Sequence, residues 1–343
     1  MAPDQRGEDS VVVRRTIAGG AIPPGSREER ALSAGVSVIV CTYRREGSMR
    51  RFLGSLRIQD RSPERLVIVD ASDDDATETM LVLSHDAAAW ARETWYFRVR
   101  GALRGLTRQR NFGLRWIATD LVAFFDDDIV LAPGCLAALE EVHRREGTSV
   151  VGAAAVMDGA GHPPDALWRV RRALRVVANL RPGTYQRSGM SIPWSFLEAP
   201  PEVTDGDYLP GGATMWRTAE IRELGFDEKL AGYGQGEDLE MSLRARRRGR
   251  LVLAGRARLQ HLHEEGGRPD DFTLGYMAIH NRFLIHRRGL DDRSWRDVAL
   301  FAYAWGLDTL LLLRHLLFPS RCLGTVRQAG GRMKAVLDLV RGK

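Results

Sequence analysis

The feature that most constrains this chain is an apolar segment that runs directly into three consecutive carboxylates. Residues 121–125 have the sequence LVAFF, and Asp126, Asp127 and Asp128 follow them. Adjacent acids repel one another, so a buried strand that ends in them needs a compensating cation. In open α/β sheets the carboxyl ends of the strands line the ligand crevice. The pattern therefore predicts a divalent metal, and the alternative is a solvated acidic turn.

Two of these acids have the spacing of a metal site. Asp126 and Asp128 alternate, so their carboxylates are predicted to point in related directions. Carboxylate oxygens are the ligands of Mg²⁺ and Mn²⁺, ions that also hold substrate phosphates. Asp70 ends another apolar run at the same predicted sheet edge, whereas the acids at 73–75 are explained by a helix N-terminus. Asp70 is therefore a further candidate ligand-binding residue.

Strand and helix patterns alternate from residue 36 onwards. A β-rich run at 36–43 precedes helical spacing at 49–58, and a second run at 66–70 precedes a helix predicted at 76–83. This alternation is the signature of a parallel sheet. The predicted fold class is α/β, a Rossmann-like, mostly parallel sheet with flanking helices.

Composition restricts the class of partner. The 343 residues are 44% hydrophobic and carry a net charge of +6, which suits phosphate-bearing ligands or an anionic membrane surface. The sequence has no zinc-ligand spacing and no aromatic-basic ribonucleoprotein motif, so nucleic acid is not an expected partner. Three scattered cysteines and a polar N-terminus without an apolar secretory run predict a cytoplasmic location.

Three further segments carry candidate chemistry. The basic stretch 104–113 is suited to clamp a diphosphate, or is a solvated helix face. Gly211 and Gly212, followed by Trp216, allow a ligand to approach the backbone closely. The glycine-rich loop 232–236 delivers Glu237 and Asp238, which are either a general base with its neighbour or complements of a helix dipole.

Two histidines lie at alternate positions of a predicted strand. His261 and His263 would share one face of that strand. A lone histidine is usually structural, but the predicted metal lacks a third ligand, and imidazole is a common one. His261 is the predicted metal ligand, although the spacing leaves the choice between the two open.

The order of these motifs resembles the inverting glycosyltransferase family 2, which has the GT-A nucleotide-sugar fold. The resemblance covers roughly residues 35–268 and rests on segments that occur in family order. The matching segments are 38–43 (VIVCTY), 69–70 (VD) with 75–77 (DAT), 105–113 (GLTRQRNFG), 126–128 (DDD), 211–213 (GGA) and 236–240 (GEDLE).

The resemblance implies a role for individual residues. Those implied to bind the donor nucleotide are Thr42, Tyr43, Asp70, Arg110, Asp126 and Asp127. Asp126 and Asp128 match the DxD motif that binds metal and diphosphate, and His261 falls where many members supply a further metal contact. Asp238 matches the catalytic base, with Glu237 beside it. Gly211, Gly212 and Trp216 are assigned to the acceptor loop. Ala71 stands where the family often has a second acid, which weakens any inference about the nucleobase.

The chain is predicted to have three parts. Residues 1–34 are a flexible tail with one short strand at Val11–Val13, 35–268 are the GT-A domain, and 269–343 are helical and basic. Residues 276–288 resemble a rhamnosyltransferase-like segment. An apolar stretch at 298–318 is long enough to span a bilayer, but Asp308, Arg314 and His315 interrupt it. We expect a peripheral or core-packed helix there.

Basic residues flank this stretch on both sides, at 287, 288, 293 and 296 and at 321, 327, 332 and 334. That arrangement suits docking on anionic lipid at the inner face of the cytoplasmic membrane. The alternative is a helical hairpin that closes the domain or forms a homodimer.

The sequence predicts a metal-dependent inverting glycosyltransferase that uses Mn²⁺ or Mg²⁺. It would transfer a hexose or deoxyhexose from a nucleotide-sugar to a hydroxyl of a glycan or lipid-linked acceptor, in cell-envelope or extracellular polysaccharide synthesis. One alternative is a sugar-phosphate nucleotidyltransferase, which is disfavoured because residues 42–45 (TYRR) stand where a glycine-rich phosphate loop would lie. The other is a catalytically silent nucleotide-sugar-binding scaffold. The sugar, nucleobase, acceptor and oligomeric state depend on pocket shape and are left open.

Overall fold

The computed structural model describes residues 10–23, 32–198, 200, 202–230, 232–264, 269–290 and 292–342. The strands are β1 (Val11–Ala18), β2 (Ser33–Thr42), β3 (Arg65–Asp70), β4 (Glu93–Val99), β5 (Thr119–Asp126), β6 (Ile129–Leu131), β7 (Val150–Met157), β8 (Val203–Gly206), β9 (Ala213–Arg217) and β10 (Arg250–His261). The helices are α1 (Glu46–Arg57), α2 (Ala76–Val82), α3 (Leu106–Leu114), α4 (Cys135–Arg145), α5 (Ala166–Ala173), α6 (Thr218–Leu224), α7 (Glu237–Ala245), α8 (Asp271–Gly289), α9 (Trp295–Leu313) and α10 (Pro319–Val340).

One mixed sheet organises the first part of the fold. Its strand order is β1-β4-β3-β2-β5-β9-β7-β10-β6, and β8 pairs with β10. One set of strands runs in one direction, namely β2, β3, β4, β5, β7 and β10. The opposite direction is taken by β1, β6, β8 and β9. The predicted α/β class with a mostly parallel sheet is confirmed.

The sequence patterns explain why these segments form a buried layer. Every residue of β3 is buried, as expected for a strand covered on both faces. In α1, Met49, Phe52, Leu53 and Leu56 recur at helical spacing and are all buried. That apolar stripe packs in the same core cluster as the strands, which holds the helix against the sheet.

Part of the segment that was predicted to be a flexible tail belongs to the sheet. Residues 11–18 form β1, which pairs antiparallel with β4, so the strand is longer than the three residues predicted. Residues 1–9 and 24–31 of that segment lie outside the described residues. β1 is amphipathic and half-buried, and its pairing closes one edge of the sheet.

The chain divides into two compact units. Unit 1 comprises residues 1–160 and 199–267, and unit 2 comprises 161–198 and 268–343. The predicted boundary near 268 coincides with a segment, 265–268, outside the described residues, whereas the placement of 161–198 in unit 2 is new. Sequence patterning did not indicate it, because that segment has little regular structure beyond α5.

Unit 2 has its own core and a long apolar helix. Val176, Val177, Met190, Ile192 and Ala304 form a buried cluster. The N-terminus of α9 is closed by a capping box between Ser294 and Asp297. Among the described residues, the segment Trp295–Leu317 is long and apolar enough to cross a membrane by length and composition, and little of it is buried.

Candidate active site

Adjacent strands bring the predicted site residues to one edge of the sheet. The register pairs Thr42 at the end of β2 with Asp70 at the end of β3, and Cys41 with Asp126 at the end of β5. These parallel strands therefore end at the same level. The last residues of β10 pair with β6, which places His261 opposite Ile129. His261 therefore lies close to the acids that precede β6.

Asp126, Asp128 and His261 form a candidate metal site. Their ligand atoms all lie within 4.8 Å of one another, and His261 Nε2 is 3.0 Å from Asp128 Oδ1. Burial opposes the charge of Asp128, but the hydrogen bond to His261 and the nearby Arg45 guanidinium hold the pKa of this carboxyl below its usual range. Two carboxylates and one imidazole fit Mn²⁺ or Mg²⁺ completed by phosphate oxygens. The ring of the exposed His263 lies 4.1 Å from that of His261, tilted by 40°, and is outside this cluster.

Two glycines separate the metal site from the candidate base. The Gly212 carbonyl accepts the Asp126 N–H at 2.9 Å, and the Gly211 N–H donates to Asp238 Oδ2 at 2.9 Å. A Cβ on Gly212 would lie 2.4 Å from Asp126 Oδ2, and one on Gly211 would lie 3.0 Å from Asp238 Oδ2. Side chains there would push the carboxylates away, so the predicted need for glycine has a geometric reason.

A buried arginine links the acids of the two sides. Arg110 donates from Nη1 to Glu237 Oε1 at 2.7 Å and from Nη2 to Asp126 Oδ1 at 3.1 Å. Burial and the charge of Asp238 raise the pKa of Glu237, while Arg110 opposes that rise. Glu237 is thus a paired interior group, whereas the neighbouring Asp238 is half-buried at the start of α7.

The middle aspartate of the triplet points into the protein. Asp127 Oδ2 accepts the Thr42 hydroxyl at 2.6 Å, and Asp127 Oδ1 accepts from Arg45 Nη1 at 3.1 Å. Burial raises the pKa of Asp127 to about 7, and the bonds from Thr42 and Arg45 reduce this rise. Thr42 and Asp127, both expected to contact the donor, are therefore bonded to each other in the interior.

Asp70 is also turned inward, whereas Tyr43 is not. Asp70 is fully buried and accepts the Ser72 N–H at 2.8 Å and the Tyr96 hydroxyl at 2.9 Å. Burial raises its pKa, and these hydrogen bonds oppose the rise. Tyr43 is half-buried, and its hydroxyl accepts from Arg104 at 2.5 Å. The guanidinium of Arg44 lies 5.1 Å from the Tyr43 ring centroid.

The structure does not bring Trp216 to the site. Its ring packs against the backbone of Gly152, and its indole N–H donates to Thr214 at 2.8 Å. With 3% of its surface exposed, Trp216 belongs to the core. The prediction that Trp216 belongs to the acceptor loop is therefore wrong: it lies in β9, a strand in which residues 213–216 are all buried.

Sequence reasoning missed Arg45 as a member of the site. Its guanidinium donates to Asp127 and to Asp128 Oδ2 at 3.3 Å, and also to the Glu264 carbonyl at 3.1 Å. Glu264 in turn pairs with Arg51 and donates its N–H to Asp128 at 3.2 Å. The signal in the sequence was a pair of arginines, Arg44 and Arg45, directly after a predicted strand.

The fold is that of GT-A domains, and its candidate site is a carboxylate and imidazole cluster at the carboxyl edge of a mixed sheet. Residues 37–187 match the family model described as glycosyl transferase family 2, which agrees with the resemblance seen in the motifs.

The chain is also similar to individual proteins. The chain is 26% identical over 229 residues to validoxylamine A glucosyltransferase of Streptomyces hygroscopicus subsp. limoneus, which covers 61% of this chain and 47% of that protein. This chain thus spans about half the length of that relative. The mannosyltransferase PcManGT of Pyrobaculum calidifontis, solved with GDP-Man and Mn²⁺, has a TM-score of 0.52 at 16% identity over 92% of this chain and 91% of its own. S. aureus TarS residues 1–349, solved with UDP-GlcNAc, has a TM-score of 0.49 at 14% identity over 90% and 92%.

Proposed function

We propose that this protein is a metal-dependent, inverting glycosyltransferase that moves a sugar from a nucleotide-sugar donor to an acceptor hydroxyl. The observation that carries the proposal is that one diglycine segment lies between the metal-site carboxylates and the candidate base. Asp126, with Asp128 and His261, lies on one side, and Asp238 lies on the other. Donor and acceptor chemistry thus meet across Gly211 and Gly212.

The donor side has the ligand set for a divalent cation. Asp126, Asp128 and His261 would hold Mn²⁺ or Mg²⁺, and the PcManGT structure, which contains Mn²⁺, supports this choice. When bound, the metal neutralises charge on the departing nucleoside diphosphate, a contribution of several kcal/mol. Arg45 holds Asp128 from the protein side, which fixes the orientation of that carboxylate.

The acceptor side has a general base in Asp238. It accepts the proton of the acceptor hydroxyl as that oxygen attacks the anomeric carbon, a contribution of roughly 10²- to 10⁴-fold. The Gly211 N–H holds one carboxylate oxygen in place. Glu237 is engaged by Arg110, so it acts as a positioning residue for the start of α7. Attack opposite the leaving diphosphate in a single displacement inverts the anomeric centre.

The nucleotide is proposed to lie over Tyr43. This ring is flanked by the guanidinium groups of Arg44 and Arg104, which suit a diphosphate or a stacked base. Asp73 accepts hydrogen bonds from both arginines, so it fixes their positions. Thr42, Asp70 and Asp127 support this edge from the interior.

The donor sugar is proposed to be a hexose or deoxyhexose, and the acceptor a glycan or lipid-linked hydroxyl of the cell envelope. Support for the sugar class comes from the glucosyl- and mannosyltransferases to which the chain is similar. Support for an envelope acceptor comes from the basic C-terminal region, which suits an anionic membrane surface.

Thermal unfolding with a panel of nucleoside diphosphates, each with and without Mn²⁺, tests the donor site. Ligand at a hundredfold excess over its dissociation constant adds about 2.7 kcal/mol, which gives a measurable melting shift. We expect a metal-dependent shift with one nucleotide. Asp128→Asn should abolish it, and Asp86→Asn, a change at an exposed acid paired with Arg57, should not. No shift with any nucleotide would refute the proposal.

Asp238→Asn separates an enzyme from a silent nucleotide-sugar-binding scaffold. The substrate is the nucleotide-sugar that carries the nucleoside diphosphate found to stabilise the protein. The rate at which the variant releases nucleoside diphosphate from this donor should fall at least about 10²-fold, because the base is lost. The Mn²⁺-dependent melting shift should persist, because Asp238 is outside the metal cluster. Unchanged turnover in this variant would favour the scaffold.

A further inference from the structure

An apolar row covers the solvent-facing side of α10. The row consists of Leu323, Val326, Met333, Leu337 and Val340, which are 44–83% exposed. With Gly330, these positions alternate in steps of three and four residues, so they form one stripe along the helix. The opposite side is buried, including Thr325, Arg332 and Ala335. α10 therefore exposes an apolar stripe in addition to the side that is buried. An exposed apolar stripe of this kind marks an interaction surface.

A basic column runs beside this stripe. Arg327, Lys334 and Arg341 lie seven residues apart and are exposed. Asp338 is the one acid among residues 319–342, and it is buried and pairs with Lys334. The exposed side of α10 thus combines large apolar side chains with net positive charge.

Further exposed apolar side chains precede α10 along the chain. Leu317 and Phe318, directly before α10, are 81% and 56% exposed, and Leu310 near the end of α9 is 66% exposed. An extended, exposed apolar surface with a basic border is the pattern of a helix that lies in a membrane interface.

A buried ion network argues that α9 stays within unit 2. Asp308 lies in the middle of the apolar segment and receives Arg171 at 2.5 Å and Arg332 at 3.1 Å. All three side chains are at most 17% exposed. Moving α9 into a bilayer would break this network and place Asp308 in hydrocarbon, which is costly. The segment is therefore suited to lie on a membrane and not to cross it.

Charge favours lipid over a second copy of this chain. If two α10 helices paired through the apolar stripe, the basic column would lie along one side of their contact. Cys322, Ala329 and Val336 would lie along the other side. No carboxylate of another α10 would meet the basic residues. Anionic lipid headgroups supply that countercharge at about 1 kcal/mol for each basic residue.

We propose that the exposed side of α10, together with Leu317 and Phe318, docks the protein on an anionic lipid surface. The docking surface belongs to unit 2 and does not depend on the proposed glycosyl transfer. It would hold the protein at the interface where a lipid-linked hydroxyl is accessible.

Cosedimentation of the full chain with vesicles tests this proposal. Phosphatidylcholine vesicles are compared with vesicles that contain about 30% phosphatidylglycerol. We expect binding to the anionic vesicles alone, with release as ionic strength rises. Replacing Arg327, Lys334 and Arg341 together by Gln should lower the partition coefficient on the order of 10²-fold. Replacing Leu323, Met333 and Leu337 together by Gln should lower it at least as much, because apolar burial is lost.

Matched controls use exposed residues of unit 1. The apolar control replaces Ile58, Val82 and Leu83 by Gln, which removes about as much exposed apolar surface as the apolar α10 variant. The basic control replaces Arg57, Arg92 and Arg144 by Gln, which removes the same charge as the basic α10 variant. Both controls should bind like the wild type. All the changes are at exposed positions, so each variant is expected to fold. Circular dichroism verifies this.

Sedimentation equilibrium without lipid decides between lipid and self-association. A monomer that binds anionic vesicles through α10 supports the proposal. A dimer that the apolar α10 variant dissociates, with no vesicle binding, would overturn it. Absence of both binding and dimer, or vesicle binding that the α10 variants leave unchanged, would overturn it as well.

Discussion

At the scale of single residues, this site depends on close approach of backbone to carboxylate. Gly212 has a positive φ of 83° and lies against Asp126, and the adjacent Gly211 lies against Asp238. The absence of side chains lets both acids approach one short segment from opposite sides. Removing either glycine should therefore disturb the acids before it disturbs the fold.

Gly212→Ala should weaken Mn²⁺ binding about 10- to 100-fold, because the new methyl group would displace the Asp126 carboxylate. Titration calorimetry measures the affinity. Gly147→Ala is the control: its φ of 61° gives similar backbone strain, but nothing lies within 4 Å of the added Cβ. Equal weakening in both variants would show that strain, and not the carboxylate contact, is responsible.

Arg110→Met should destabilise the protein by about 3–5 kcal/mol, because Glu237 would remain in the interior without its partner. Urea unfolding measures the change. Adding Glu237→Gln to the first variant removes the unpaired charge and should recover a large part of the loss. If the double variant is no more stable than Arg110→Met, the arginine contributes by packing against Phe124 and Phe226.

At the scale of elements, α4 is held against the sheet by a buried polar contact as well as by its apolar side. His143 lies in the last turn of α4, with Nε2 3.0 Å from the Met215 carbonyl of β9. Burial lowers the pKa of His143 to about 4, and its bond to Met215 opposes this shift. The neutral ring is therefore part of the folded structure.

This contact predicts a loss of stability in acid. The folded pKa of His143 is below the unfolded value of 6.5, so its stabilising contribution is present above pH 6.5 and is lost as the pH falls towards 4. The loss is about 3 kcal/mol. Urea unfolding of His143→Gln should lack this component, whereas His85→Gln, at an exposed position, should retain it. Equal pH dependence in wild type and His143→Gln would contradict the assignment.

At the scale of the whole molecule, the chain forms two units with separate cores and separate ionic networks. The carboxylates of the candidate active site belong to unit 1, and the pairs of Asp308 with Arg171 and Arg332 belong to unit 2. Chemistry and the proposed lipid docking thus draw on different parts of the chain.

Asp308→Asn should destabilise unit 2 by about 3 kcal/mol, because two largely buried arginines lose their common carboxylate. Hydrogen exchange should show lost protection within residues 161–198 and 269–342. Mn²⁺ affinity should be unchanged, because the proposed metal ligands lie in unit 1. Lost protection across unit 1, or weaker Mn²⁺ binding, would show that the two units are energetically coupled.

Local patterns in the sequence determined the fold class and the positions of the strand-end acids. Alternation of strand and helix periods predicts a parallel sheet, and parallel strands necessarily bring Thr42, Asp70 and Asp126 to one edge. The order of motifs indicated the family whose model residues 37–187 match.

Tertiary structure alone decided which of those residues face a ligand and which face the interior. Asp127 and Asp70 bond to interior groups, Trp216 enters the core, and Arg45 joins the site through Glu264, which is 219 residues away. The placement of residues 161–198 in unit 2 and of β1 in the sheet likewise depends on distant partners. The physical reason is that periodicity and spacing report contacts within a few residues. The direction of a carboxylate and its pKa are set by groups that only folding brings together.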